Sequence, residues 1–236
     1  MSARPPGPIL VVEVDRQRGL VIAEQLAADG YGVELARSAE HARILARESA
    51  PKLALLGDID APRGALGLLA EIRASDPHGA SWDRALPAIV LRSNAQELDL
   101  LRAFEAGADD FLARPAGYLE LRARVRAILR RTAARPEPAR VLEVGPLAID
   151  TSAHAVSLRG APIELRRMEF ELLVHLARDP ARVCAKDELL RSVWGYRSCG
   201  STRTVDSHAS RLRRKLDPDG ARRWVINVWG VGYRLI

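Results

Sequence analysis

The sequence has little cysteine: two residues in 236, Cys184 and Cys199. Neither stands at a metal-ligand spacing, and two thiols do not make a disulfide framework, so both read as reduced structural residues. Lysine is scarce too, with only Lys52, Lys186 and Lys215 among 36 basic residues. No apolar run approaches the roughly 20 residues that span a bilayer, and the start lacks the pattern of a secretory signal. There are no repeats and no low-complexity tracts. These absences exclude a disulfide-stapled secreted domain and a helical membrane protein. They place the chain in the cytoplasm, with no membrane partner.

What is present is core-forming material, 47% hydrophobic residues, over a length of one or two domains. The net charge of +6 is unevenly spread. Residues 1–130 carry 17 Lys and Arg against 18 Asp and Glu, a net −1, whereas residues 131–236 carry 19 against 12, a net +7. A basic region beside a near-neutral one favours a polyanion partner, although a membrane surface or plain solubility would look similar.

The first part alternates apolar runs (9–12, 32–36, 53–57, 88–91, 110–113) with helical patterns (17–29, 38–49, 64–75, 96–106, 117–131). Five β–α units predict a doubly wound α/β domain with a five-stranded parallel sheet. Chemistry in that class sits at the carboxyl ends of the strands. The segment 76–87 is long for a connection and reads as a surface excursion. Residues 132–140, with two prolines and no apolar period, read as a linker between domains at 1–131 and 141–236.

The second part begins with strand-like segments over 141–164, broken by Gly145-Pro146, Asp150-Thr151 and Gly160. Helical patterns follow at 167–178, 186–194 and 202–216, then a hairpin over 224–236. A small sheet, three helices and a hairpin is the layout of an α+β winged helix-turn-helix. In the third helix, Val205, Ala209, Leu212 and Leu216 form one apolar stripe facing a core. The other faces carry Arg203, Thr204, Ser207, His208, Ser210, Arg211, Arg214 and Lys215, which suit base edges and phosphates in a major groove. Arg213, Arg222 and Arg223 add non-specific affinity for double-stranded DNA. A solvated basic face on an ordinary helix fits the same periodicity.

From Val141 to Ile236 the chain resembles the effector domain of the OmpR/PhoB response-regulator family. The resemblance rests on Glu169-Phe170 with Leu172-Leu173, on Glu188-Leu189-Leu190, and on Val193-Trp194-Gly195. It continues through Arg203-Thr204-Val205-Asp206 with His208, then 211–216 (RLRRKL) and 229–234 (WGVGYR). It implies that Arg203, Thr204, His208 and Arg211 lie in or beside the major groove and that Arg213 and Tyr233 contact phosphate. It also implies that the loop 196–201 faces RNA polymerase in activators. Trp229 stands where some members carry a minor-groove Arg, so a sugar-phosphate contact and a packing role are both open. Arg166 replaces a common Thr cap, at a modest local cost.

Residues 8–131 resemble a receiver domain, most clearly in 104–111 (FEAGADDF) with Arg114-Pro115. Receivers move a phosphoryl group onto an aspartate beside Mg²⁺, which demands hard oxygen ligands. The matching positions are mostly altered. Glu13 is followed by Val14, which cannot ligate a metal. The acceptor falls on Gly57 counted from Pro51, the favoured register, or on Asp58 counted from Pro62. The hydroxyl position is Arg92, or Ser93 if the loop shifts. Arg114 replaces a Lys, and Phe111 is the switch aromatic. The expectation is a degenerate pocket without metal or catalytic residues, with Arg92 and Arg114 pairing with Glu13 or Asp58. The resemblance further implies a homodimer through the fourth helix, fifth strand and fifth helix. Asp110 and Arg124 match one charge pair of that interface and Glu120 half of another, whose basic partner falls on Leu100. An intrahelical Glu120–Arg124 pair is the plain alternative.

The leading reading is a phosphorylation-independent, dimeric DNA-binding transcription regulator. A regulator switched through phosphorylation of Asp58, or through a ligand or protein at the altered pocket, is the alternative.

Overall fold

The computed structural model describes residues 7–60, 63–74, 82–93, 95–133, 141–196, 203–218 and 224–235, with the side chains of 131–133 set aside. Contacts divide the chain into Met1–Leu129 and Arg130–Ile236.

In the first unit, β1 (Ile9–Val12), β2 (Val33–Ala36), β3 (Leu53–Leu56), β4 (Ala88–Ser93) and β5 (Asp110–Arg114) form a parallel sheet in the order β2-β1-β3-β4-β5. β1 and β3 are apolar at every position and buried throughout, as interior strands covered on both faces must be. Side chains alternate between two cores. Leu10 and Val12 pack with residues of α2 (Ala39–Ser49), α3 (Gly64–Arg73) and α4 (Glu97–Ala106). Ile9 and Val11 pack with α1 (Arg16–Ala28) and α5 (Tyr118–Ala133). Asp15 starts α1 by accepting the Arg18 N–H at 3.0 Å, and Ser38 starts α2 by accepting that of His41 at 3.1 Å.

Two expectations change here. The 76–87 excursion is not wholly superficial: Trp82 and Leu86 join the core, and the Trp82 indole N–H donates to Glu71 at 3.1 Å. Helix α5 passes residue 131 and takes in the start of the expected linker. The remainder of the linker, 134–140, lies outside the described residues.

The second unit opens with an antiparallel sheet of β6 (Val141–Val144), β7 (Leu147–Asp150), β8 (Ala155–Leu158) and β9 (Ala161–Pro162). Helices α6 (Arg167–Ala177), α7 (Lys186–Ser192) and α8 (Thr204–Leu216) follow. The final hairpin pairs β11 (Val225–Val228) with β12 (Gly232–Leu235). A two-residue strand, β10 (Cys184–Ala185), adds to β12, which the sequence did not announce. It approaches so closely that a Cβ on Gly232 would overlap the Cys184 carbonyl oxygen. This is a winged helix following a receiver fold.

Candidate functional site

The carboxyl ends of β1, β3, β4 and β5 converge on a cluster of acids and arginines. Glu13 follows β1 and is fully buried. Its Oε2 takes Nη1 of Arg114 at 2.6 Å and accepts the Asp58 N–H at 3.4 Å, and its Oε1 accepts the Asp15 N–H at 3.2 Å. The Asp58 carboxylate, three-quarters covered, accepts from Arg18 at 3.1 Å and from the Ser93 hydroxyl at 3.0 Å. Nη1 of both Arg92 and Arg114 lies 4.0 Å from Asp58. Arg18 also donates to Ser93 Oγ at 2.9 Å, and sits 3.2 Å from Asp15 and 3.8 Å from Glu13. The cap bond from the Arg18 N–H, followed by the charge of Arg18, holds the Asp15 carboxyl below its usual range.

This geometry sorts the two registers. Gly57 follows β3 with no side chain, and a Cβ there would overlap Glu13 Oε2, so the Glu13 carboxylate fills the space. The side chain that reaches the pocket is Asp58. The hydroxyl beside Asp58 belongs to Ser93, the shifted alternative, and not to the Arg92 position of the ungapped count. Arg92 is the last strand residue but one, and alternation turns it outward, leaving it half-exposed. Val14 is 39% exposed and contributes no ligand atom. Phe111 is buried in the core. Arg18 was not singled out in the sequence. Its signal was local: an acid three residues before a basic residue at a helix start.

The charges expected at an interface also lie close to one another within the chain. Asp110 is buried and accepts Arg124 Nη1 at 3.0 and 2.9 Å through its two oxygens. Arg124 Nη2 reaches Glu120 at 2.6 Å. Within the chain, Arg124 of α5 reaches across to Asp110, the first residue of β5. Leu100 is half-buried against the core. Leu98 and Leu101 on α4 and Leu119 on α5 are exposed.

On α8 the apolar stripe faces the core as expected: Val205, Ala209, Leu212 and Leu216 are buried. The polar faces differ from expectation. Arg203, Ser210 and Arg214 are exposed, but Thr204, Ser207, His208 and Arg211 are buried, which corrects their placement on an open face. Arg211 turns to Glu169 at 2.9 Å, and Lys215 reaches the same carboxylate at 2.7 Å. His208 sets its Nδ1 2.9 Å from the Thr204 carbonyl and its ring edge-on to Trp194. Glu169, fully buried at the start of α6, also accepts the Arg166 N–H at 2.9 Å. Burial alone would raise this carboxyl; Arg211, Lys215 and the Arg166 N–H outweigh it and hold Glu169 below its usual range.

The wing is tied to α8. Arg213 Nε donates to the Val225 carbonyl at 2.9 Å. Tyr233, expected at phosphate, is buried, and its hydroxyl donates to Asp206 at 2.5 Å. Burial, then that bond, raises the phenol well above its ordinary value. Trp229 stands at the tip, 92% exposed, which removes the packing alternative. Arg222, Arg223 and most of the loop 196–201 lie outside the described residues. Cys184 gains neighbours the sequence separates: His175, Cys184 and Glu188 place donor atoms within 4.8 Å of one another. Arg182 occupies both Glu188 oxygens at 2.7 and 3.0 Å.

Comparison with known proteins agrees with this architecture. Residues 160–235 match the family described as "Transcriptional regulatory protein, C terminal". The chain is 36% identical over 227 residues to the DNA-binding response regulator MtrA of Mycolicibacterium smegmatis, covering 96% of this chain and 95% of that protein. It is 32% identical over 235 residues to the transcriptional regulatory protein ResD of Bacillus subtilis, covering 96% and 94%. A solved structure of a RitR mutant aligns with a TM-score of 0.68 at 26% identity, over 98% of this chain and 99% of that one. With a receiver fold, a winged helix and relatives matched along nearly the whole length, the chain belongs to the OmpR/PhoB family of DNA-binding response regulators.

Proposed function

We propose that this chain regulates transcription by binding a specific duplex-DNA site as a homodimer, with no phosphoryl transfer to its receiver. The observation that carries this is Arg18. One guanidinium reaches three carboxylates, Asp58 at 3.1 Å, Asp15 at 3.2 Å and Glu13 at 3.8 Å. A Mg²⁺ ion would need these same oxygens in near-octahedral geometry. Two cations do not share such a site, and Val14 supplies no replacement ligand. The residues present therefore do not fit the metal that the family implies. Gly57 offers no nucleophile, and Arg114 supplies at Glu13 the positive charge that a bound cation would bring.

Exposed Arg203, Ser210, Arg214 and Trp229 make the first DNA contacts, and Ser207, His208 and Arg211 join after Arg211 exchanges Glu169 for DNA. Arg213 and Tyr233 serve chiefly to hold the wing against α8. The exposed leucines of α4 and α5 support dimerisation through that face. RNA polymerase is the further partner, and the cytoplasm the place of action.

A second reading, phosphorylation of Asp58, is favoured by the Ser93 hydroxyl at 3.0 Å. One experiment separates the two. The purified chain is incubated with acetyl phosphate and Mg²⁺, weighed intact, and footprinted on genomic DNA with and without that treatment. We expect no phosphoryl adduct and site-specific protection by the untreated protein. A stable adduct abolished by Asp58→Asn, together with protection that depends on it, overturns the proposal.

A further inference from the structure

Beside the acid cluster, between α1, α5 and the sheet, lies a cavity of about 700 Å³. That volume is in the range of small-molecule sites, roughly 300–1,000 Å³. Its lining has two characters. Val21 of α1, Leu91 and Leu112 of the sheet and Leu121 of α5 make an apolar body, and Arg18 and Arg114 bring positive charge to one end. Among the lining residues, Asp15 is the sole acid opposing those two guanidinium groups.

Arg114 gives the ligand chemistry. Its Nη1 is committed to Glu13 at 2.6 Å. Its Nη2 is buried and has no hydrogen-bond partner among the described residues. A buried donor without an acceptor is unfavourable, and such groups are normally satisfied. Arg114 itself lines the cavity, and an acceptor reaches Nη2 from there when the guanidinium turns toward it. An oxygen acid meets Nη2 with a charge-assisted bond, the strong class for guanidinium.

We propose that this cavity binds a small organic acid with an apolar body, its acid group on Arg114 and its body along Val21, Leu91, Leu112 and Leu121. The site also touches Arg18 and Ser93, which hold Asp58, so occupancy bears on the same pocket that receivers use for switching. The proposal stands independently of phosphorylation, because the cavity is complete without it.

The test is calorimetric titration of the full chain with decanoate and 2-naphthoate, with decanol and decylamine as head-group controls. We expect one saturable site for at least one acid, about tenfold tighter than the amine. Val21→Trp, at a lip position 47% exposed, should weaken acid binding about tenfold or more, while Ile44→Trp, equally exposed on α2 across the sheet, should not. Arg114→Met should remove the preference for acid over alcohol. Because Arg114→Met unpairs Glu13, Val21→Trp provides the decisive variant if the former fails to fold cooperatively. Absence of saturable binding by both acids, equal affinity for all head groups, or insensitivity to Val21→Trp overturns the proposal. Footprinting of the Val21→Trp chain without any acid, expected to be unchanged, keeps this outcome separate from the DNA-binding reading.

Discussion

Glu13 in the receiver and Glu169 in the winged helix are the same physical problem met twice. Each is a fully buried carboxylate, and each draws in two cations: Arg114 at 2.6 Å and Arg18 at 3.8 Å for Glu13, Arg211 at 2.9 Å and Lys215 at 2.7 Å for Glu169. The consequences diverge because of where the cations come from. Around Glu13 they come from α1 and β5 and settle where a metal and a phosphoryl group would be handled. Around Glu169 both come from α8, so the pair clamps that helix to α6 and holds Arg211 in the interior. A buried charge commits whatever opposite charge the chain brings past it, and function follows from which residues are committed.

The comparison breaks most visibly at Glu169. Glu169→Gln should cost about 3–5 kcal/mol in urea unfolding of the full chain, because it strands Arg211 in the interior. Glu13→Gln should cost less, since Asp58 remains within 4.0 Å of Arg114 and 3.1 Å of Arg18. Equal losses would show that Asp58 does not back up Glu13. Next in size, Gly57→Ala should cost about 1–3 kcal/mol through overlap with the Glu13 carboxylate. That cost should shrink in a Glu13→Ala background, and a double-mutant cycle measures the coupling.

The pH response sharpens the contrast further. Glu169 sits below its ordinary value of 4.5, so its contribution is complete above that value and is lost as pH falls through the folded one. Acid titration of stability should therefore be shallower in Glu169→Gln than in the parent over that window. The smallest effect on stability belongs to the wing tip. Trp229→Ala should change unfolding by no more than about 0.5 kcal/mol, yet lower DNA affinity by a margin visible in a binding isotherm. An unchanged isotherm would remove Trp229 from the interface.

The order of elements was readable from periodicity and turn residues, because β1 and β3 are unbroken apolar runs and α8 has one apolar stripe. What periodicity could not show was which polar side chains turn inward. Arg211, His208 and Tyr233 look like solvent-facing residues in a helical or strand count, but each finds an internal partner far off in sequence or one helical turn away. The same holds for the acid cluster. Counting favoured Gly57 and Arg92 over Asp58 and Ser93; the fold brings Asp58 and Ser93 together, each one residue further along its strand end. Arg18 escaped notice because its role depends on three carboxylates that converge only when the sheet forms. The two-residue strand β10 left no periodic trace, and its clearest mark is the glycine opposite it at 232.

The exposed wing-tip indole has an optical consequence. Of the four tryptophans, Trp82, Trp194 and Trp224 are 9%, 0% and 3% exposed, against 92% for Trp229. Collisional quenchers such as iodide should therefore reach chiefly one fluorophore, and its red-edge emission becomes a built-in reporter of whatever the wing touches.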